Sequence, residues 1–150
     1  MAQKWGETCA GAGIIAAYSA NTGWDRNVKL ANETFSTREV RPHIAAEKVG
    51  RIIAGECPRD VLPMIKKTGY FFQCINDPSH ETAVVIDRHA HDIAVGVRYG
   101  DADRGLDNVN RYNTLADAYR AAALIVGCLP QEVQAVTWTV HVDAWSGKRV

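Results

Sequence analysis

No excess charge of either sign marks this chain. Lysine plus arginine equals aspartate plus glutamate at 17 each, so the global electrostatic signature of a nucleic-acid binder is absent and a basic patch can exist only as a local asymmetry. No apolar run approaches the roughly 18 residues of a membrane span, which removes the membrane as an expected partner. Cys9, Cys57, Cys74 and Cys128 form no Cys-x-x-Cys pair, and most of their flanks are apolar or small. They read as scattered buried thiols in a reducing cytosol. Met1 to Glu7 lacks a basic-then-apolar pattern, so no secretory signal is expected and the predicted location is cytoplasmic. The sequon Asn32-Glu33-Thr34 carries no meaning in such a chain. Repeats, low-complexity stretches and linkers are also missing.

What remains is ordinary globular material. At 150 residues the chain fits one domain, and a domain of that size buries roughly 68–70% of its unfolded surface without a disulfide or metal staple. Its patterning is helical. Cys9 to Ala20 is small and apolar, and Asn21-Thr22-Gly23 breaks it. Trp24 to Thr34 follows, with Trp24, Val28, Leu30 and Ala31 inward and Asn21 or Thr22 as cap. Pro42 to Gly55 repeats Ile44, Ala45, Val49, Ile52 and Ile53 at helical spacing. Pro58 suits a first helical turn before a short helix over Asp60 to Ile65. Lys66 to Gly69 reads as a tight connection, and Tyr70 to Ile75 as an aromatic helical turn or two. Thr82 to Ile86 (TAVVI) is β-branched but has no evident partner strand, so it reads as extended. Asp87 looks like an N-cap with Arg88 to Val97 behind it.

Arg98 to Tyr112 is polar and turn-rich and is expected to be a mobile loop. Asn113 or Thr114 then caps a helix to about Val126, with Leu115, Ala118, Tyr119, Ala122 and Leu124 or Ile125 inside and Gly127 as stop. Pro130 opens a last helix carrying Val133, Ala135, Val136, Trp138 and Val140. Ser146 to Val150 reads as a frayed tail. About seven short helices with short connections describe an all-α orthogonal bundle rather than a bundle of long rods.

Chemistry concentrates between Leu62 and Ala94. Lys67 sits in a helix-to-helix connection, and 20 residues later Asp87 opens a helix behind an apolar lead. A desolvated lysine amine is a nucleophile at carbon. A carboxylate at a helix N-terminus is held ionised and oriented by backbone N–H groups, ready to stabilise an oxocarbenium ion or accept a proton. Together they are what cleavage of an N-glycosidic bond requires.

Leu62-Pro63, Lys67-Thr68 and Val85-Ile86-Asp87-Arg88-His89 resemble the hairpin and following segment of the helix-hairpin-helix DNA glycosylases, over roughly residues 60–97, with residues 8–34 matching only as a helix pair of similar character. The resemblance implies a single domain over residues 1–150 of that fold. It implies a hydrolase or lyase acting on a base or modified base in DNA or a nucleotide, without a cofactor or metal. Lys67 would be the amine nucleophile, Asp87 the essential carboxylate, and His89 a neighbour of the substrate backbone. The hairpin departs from the family pattern: Met64-Ile65-Lys66 stands where Gly-x-Gly is usual, the loop is one residue shorter, and no cysteine cluster exists for an iron–sulfur centre. Small phage-borne proteins and thymine-hypermodification enzymes of the same fold look similar; a phage-encoded chain would work in the host cytoplasm.

Other residues extend this candidate site. Trp24 is a base-stacking candidate, and Asn27 with Arg26 would hydrogen-bond a base or phosphate, against the plainer roles of core anchor for Trp24 and buried polar tie for Asn27. Gln134 and Trp138 lie one turn apart on the last helix, where they would line the cleft or, for Trp138, join the core. Arg98, Arg104 and Arg111 make the polar loop locally basic, offset by Asp101, Asp103 and Asp107. Two alternatives stand beside the enzyme: a catalytically silent module binding nucleic acid, a nucleotide or a protein on the same fold, and a metal-dependent hydrolase using Asp87, His89 and His91 as Asp-x-His-x-His, with His80 or Asp92 completing the site. The metal motif needs a strand, where alternate residues share a face; on a helix His89 and His91 point roughly 200° apart.

Overall fold

The computed structural model describes residues 2–145, and the predicted tail Ser146 to Val150 lies outside them. Every element among the described residues is helical, and no strand occurs there, so the protein is all-α. The chain divides into two compact units, Met1–Pro78 and Ser79–Val150.

The first unit is organised around α1 (Ala2–Tyr18), which touches α2 (Trp24–Thr37), α3 (Ala46–Ile53), α4 (Pro58–Val61) and α5 (Lys67–Asn76). The small residues of α1 permit this. A methyl group on Gly13 would stand 2.6 Å from the Pro58 ring, so only glycine lets α4 approach so closely. Ile14, Ala16 and Tyr18 are fully enclosed with Val49, Ile52 and Phe72. The Tyr18 hydroxyl is satisfied by the Thr34 hydroxyl at 2.9 Å and by the Arg41 N–H, which donates to it at 3.1 Å.

Several expectations for this unit need correcting. The N-cap of α2 is Gly23, not Asn21 or Thr22. Asn21 is in the left-handed region at φ 54°, and the Thr22 hydroxyl is committed to the Ala20 carbonyl and the His43 ring. Trp24 is no core anchor: it opens α2 with 61% of its surface exposed. The third helix starts at Ala46 rather than Pro42 because His43 Nδ1 accepts the Ala45 N–H, a turn that throws Ile44 outward to 80% exposure. Lys66 to Gly69 is the beginning of α5 rather than a connection. Among the cysteines, Cys57 and Cys128 are exposed, one capping α4 and the other following the helix stop at Gly127. Cys74 is the more enclosed thiol, and burial pushes it up to about 11.

The second unit packs α6 (Arg88–Val95), α7 (Val109–Val126) and α8 (Pro130–Trp145) against one another. Its extended lead buries Ala83, Val84 and Ile86. Without a partner strand their backbone must find other partners. Tyr112 supplies them, its hydroxyl accepting the Ile86 N–H at 2.9 Å and facing the Val84 carbonyl at 3.4 Å. Tyr119 donates to the Ala90 carbonyl at 2.9 Å, and burial pushes its phenol up to about 12. Asp87 caps α6 as expected, Gly96 and Gly127 end α6 and α7 in the left-handed region, and Pro130 opens α8.

Here too the structure corrects the sequence. α7 is capped by Asn108, whose side chain accepts the Arg111 N–H, not by Asn113 or Thr114. The early start places Tyr112 inside. The buried stripe of α7 is Tyr112, Leu115, Ala116, Tyr119 and Ala123. Leu124 and Ile125 lie one and two positions past it, about 100° and 200° around the helix, and are 86% and 85% exposed. Ala118 is exposed for the same reason. On α8, Val136 and Val140 are likewise mostly exposed. The segment expected to be a mobile loop holds a 3₁₀ turn at Asp101–Asp103, a buried Arg104 and the first turn of α7.

A candidate site on the second unit

The Asp87 side chain does two things. Its Oδ1 accepts the Ala90 N–H at 2.8 Å, which caps α6, and its Oδ2 accepts the Trp138 indole N–H at 3.2 Å. Capping fixes the carboxylate where the aligned peptide dipoles of α6 favour negative charge. The indole then aims its second oxygen toward α8. His89 completes the group: its ring stands edge-on to Trp138 at 5.9 Å and to His141 at 5.6 Å. Arg88 Nε donates to His89 Nε2 at 3.2 Å. Partial burial lowers the imidazole from its ordinary value, with the Arg88 charge adding to that and the Asp87 charge opposing it.

The next residues along α6 face the other way into a closed network. His91 is fully buried and Asp92 is 5% exposed. Arg104 grips Asp92 side-on, Nε to Oδ1 at 2.9 Å and Nη2 to Oδ2 at 2.7 Å. His91 Nδ1 lies 2.9 Å from Oδ1. These donors, the Arg104 pair foremost, hold the Asp92 carboxyl well below the usual carboxylate range. The Tyr99 ring closes over His91 edge-on at 5.1 Å. This network is the reason residues 98–104 are held, and sequence periodicity carries no trace of it.

Between the two groups opens a cleft of about 560 Å³, lined chiefly by Arg88, His89, Arg98, Tyr99, Arg104 and His141. A more apolar hollow of about 520 Å³ adjoins it along α6 and α8, with Ile93, Val97, Val136 and Val140 in its wall.

The predicted site residues are therefore distributed. Asp87, His89 and Trp138 come together on the second unit, as just described. Gln134 is on α8 one turn before Trp138, half-buried, and is not among the residues lining the cleft. Lys67, Trp24 and Asn27 belong to the first unit. Lys67 is the exposed first residue of α5. It follows a turn closed by the Lys66 N–H donating to the Pro63 carbonyl at 3.0 Å. That turn is tight, because any side chain on Gly69 would run into the Met64 backbone and the Pro63 carbonyl. Asn27 is the buried tie, donating from Nδ2 to the Ile15 carbonyl at 3.1 Å while its Oδ1 has no partner. His89 and His91 lie on different faces of a helix, and no group of three or more His, Cys, Asp or Glu side chains among the described residues is placed to hold a metal ion. Tyr99 and His141 carry roles that the sequence did not single out.

The chain belongs to the DUF7178 family, a family of unknown function whose model matches residues 1–148. No curated protein and no solved structure matches it. No helix among the described residues is long and apolar enough to cross a membrane.

Proposed function

We propose that this protein acts on nucleic acid or nucleotides on the plan of the helix-hairpin-helix glycosylases, with Asp87 at the centre of its chemistry. The observation that carries this reading is the Asp87 carboxylate, fixed by the Ala90 N–H and the Trp138 indole beside the ring of His89. A carboxylate so held costs no reorganisation when positive charge develops at a sugar carbon, which is the requirement for stabilising an oxocarbenium-like transition state. The short helix α4, the tight turn at Pro63–Lys66 and the start of α5 support a hairpin of that plan.

In this scheme the Lys67 amine attacks the sugar C1′, the N-glycosidic bond breaks with its electron pair leaving on the base, and the base takes up a proton; the attached nitrogen then loses a proton and the C1′–O4′ bond opens, O4′ taking the electron pair and a proton. The resulting imine is reducible. Borohydride therefore traps a covalent protein–DNA adduct, lost in Lys67→Ala, and base release is lost in Asp87→Asn. Base release that survives Asp87→Asn unchanged overturns the assignment of Asp87.

One observation favours a second reading, a catalytically silent binder on the same fold. Lys67 is exposed, whereas amine nucleophiles work in desolvated pockets. Nucleic-acid or nucleotide binding retained in Asp87→Asn, with neither base release nor trapping from the unmodified protein, selects the binder.

A further inference from the structure

We propose that Cys9 and Cys57 are a redox-modification site, a thiol pair that a peroxide converts to a disulfide joining α1 to the start of α4. The first support is placement within the first unit. Cys9 lies on α1 four residues before Gly13, and positions four apart share a helix face. Gly13 is where α4 meets α1, since a methyl group there would stand 2.6 Å from the Pro58 ring. Cys57 immediately precedes Pro58 as the N-cap of α4. One cysteine is thus about 6 Å along α1 from that contact, and the other about 3.8 Å of chain from it. A disulfide needs Cα atoms roughly 4.4–6.8 Å apart. The electrostatics agree. Burial raises the Cys9 thiol above its ordinary value, and the Cys57 charge raises it further, ahead of the opposing charge on Arg59. Charges weigh by distance, so Cys57 is the foremost charged neighbour of Cys9.

The second support is a division of labour. Cys57 is exposed and makes no side-chain cap bond, whereas Cys9 is half-buried against the core. An accessible thiol beside a resolving one is the arrangement of redox-sensing cysteines. Cys57 therefore meets the oxidant and Cys9 resolves it. The Cys57 thiol loses its proton, and the thiolate attacks one oxygen of hydrogen peroxide. The O–O bond breaks, the departing hydroxide takes up a proton as water, and a sulfenic acid remains. The Cys9 sulfur gives up its proton and attacks the Cys57 sulfur. The S–O bond breaks, and the hydroxide leaves with a proton as a second water. The two thiols have lost two electrons and two protons to the peroxide. The bond closes residues 9–57 into a loop, which constrains the unfolded chain and so stabilises the folded first unit.

The pair stands whether or not Asp87 breaks a glycosidic bond. The test treats the full reduced chain with hydrogen peroxide and maps its cysteines by mass spectrometry. Trypsin leaves each of the four cysteines on its own peptide, Cys9 on residues 5–26 and Cys57 on residues 52–59. The expected product is these two peptides joined, lighter than their sum by two hydrogens and separated again by dithiothreitol. The linked chain should show a higher urea midpoint than the reduced one. Cys57→Ser should abolish the link while keeping the wild-type melting temperature, since Cys57 makes no cap bond and serine is a good N-cap. Cys9→Ser should leave Cys57 as a sulfenic acid, captured by the cyclic diketone dimedone. The joint variant Cys74→Ser, Cys128→Ser should form the link at the wild-type rate. The proposal is overturned if peroxide joins Cys57 to Cys74, to Cys128 or to a second chain instead. It is equally overturned if Cys57 is oxidised without joining Cys9, or if the linked chain has the lower urea midpoint.

Discussion

Arg111 and His91 meet at 3.0 Å, Nη2 to Nε2, and this contact decides where the imidazole proton is. A guanidinium only donates, so Nε2 accepts and the proton sits on Nδ1, which donates to Asp92 Oδ1 at 2.9 Å. His91 is thereby a neutral relay between an arginine and a carboxylate. Arg111 Nε also donates to the Arg104 carbonyl at 2.5 Å, so the start of α7 and the residue that grips Asp92 are held by one side chain.

Asp92→Asn is expected to cost about 3–5 kcal/mol, because it leaves Arg104 buried without its counter-charge. The pH dependence has a definite sign. The Asp92 carboxyl is depressed below its ordinary value of 3.8 by Arg104 first, with further donation from His91. The unfolded chain therefore binds the proton first as pH falls, and the stability due to the pair is full above about pH 4 and declines below it. Urea midpoints at pH 7 and pH 3 check this: the acid loss should be smaller in Asp92→Asn than in the unmodified protein. Equal losses would remove the network from the account of stability.

Gly69→Ala should damage the first unit although it replaces a residue inside a helix, where alanine ordinarily stabilises. The added methyl would overlap the Met64 backbone and the Pro63 carbonyl, and backbone cannot step aside as a flexible side chain can. We expect a loss of about 1–3 kcal/mol, read as a lower melting temperature. Gly11→Ala is the control. It lies on α1 with nothing within 4 Å of the added carbon, so it should be neutral or stabilising.

Several helix ends of the fold were legible in the sequence because their cause is local. Asp87, Gly127, Pro58 and Pro130 act through their own backbone or one neighbouring turn, so composition at the position suffices. The late start of α3 was missed although its cause, the His43–Ala45 turn, is local; other misses have distant causes. Asn108, Asn113 and Thr114 are all competent caps, and what selects Asn108 is the need to bring Tyr112 under the extended lead, a contact across 26 residues. Arg104 looked like one charge among many in a polar loop; its partner Asp92 is 12 residues away. A carboxylate beside His91 and before Ile93 on the inner face of α6 was the available signal. In the candidate site, Asp87 and His89 were legible because a motif carries them. The cleft beside them was not, since its walls come from α6, α8 and a loop that no single periodicity joins.

His43 is expected to titrate below its ordinary value of 6.5, chiefly from burial and then from the Arg26 charge. Its Nδ1 accepts the Ala45 N–H at 3.0 Å, so Nε2 carries the proton toward the Thr22 hydroxyl at 2.7 Å. A second proton would have to displace the Ala45 bond. Because the unfolded chain protonates first, stability falls as pH drops from about 6.5 to the folded value and then levels. Histidine resonances followed by NMR between pH 8 and 4 should give midpoints below 6.5 for His43, and for His89, which burial lowers in the same way. A His43 midpoint above 6.5 contradicts the assigned tautomer.

Asp87 is where structure and chemistry can be separated by two substitutions. Asparagine caps a helix about as well as aspartate, while alanine at an N-cap costs roughly 1 kcal/mol. Asp87→Asn should therefore keep the Ala90 N–H bond and nearly the wild-type melting temperature, and Asp87→Ala should lower it. If Asp87 serves only to start α6, every property of the protein should follow that order, with Asn near the unmodified chain and Ala below it. If its charge acts on a substrate, Asn and Ala should lose base release alike, by about two orders of magnitude or more, as removal of a preorganised stabilising group does. Measuring melting temperature and base release on the same three proteins separates the two roles, because the Asn variant is stable under both readings and active under only one.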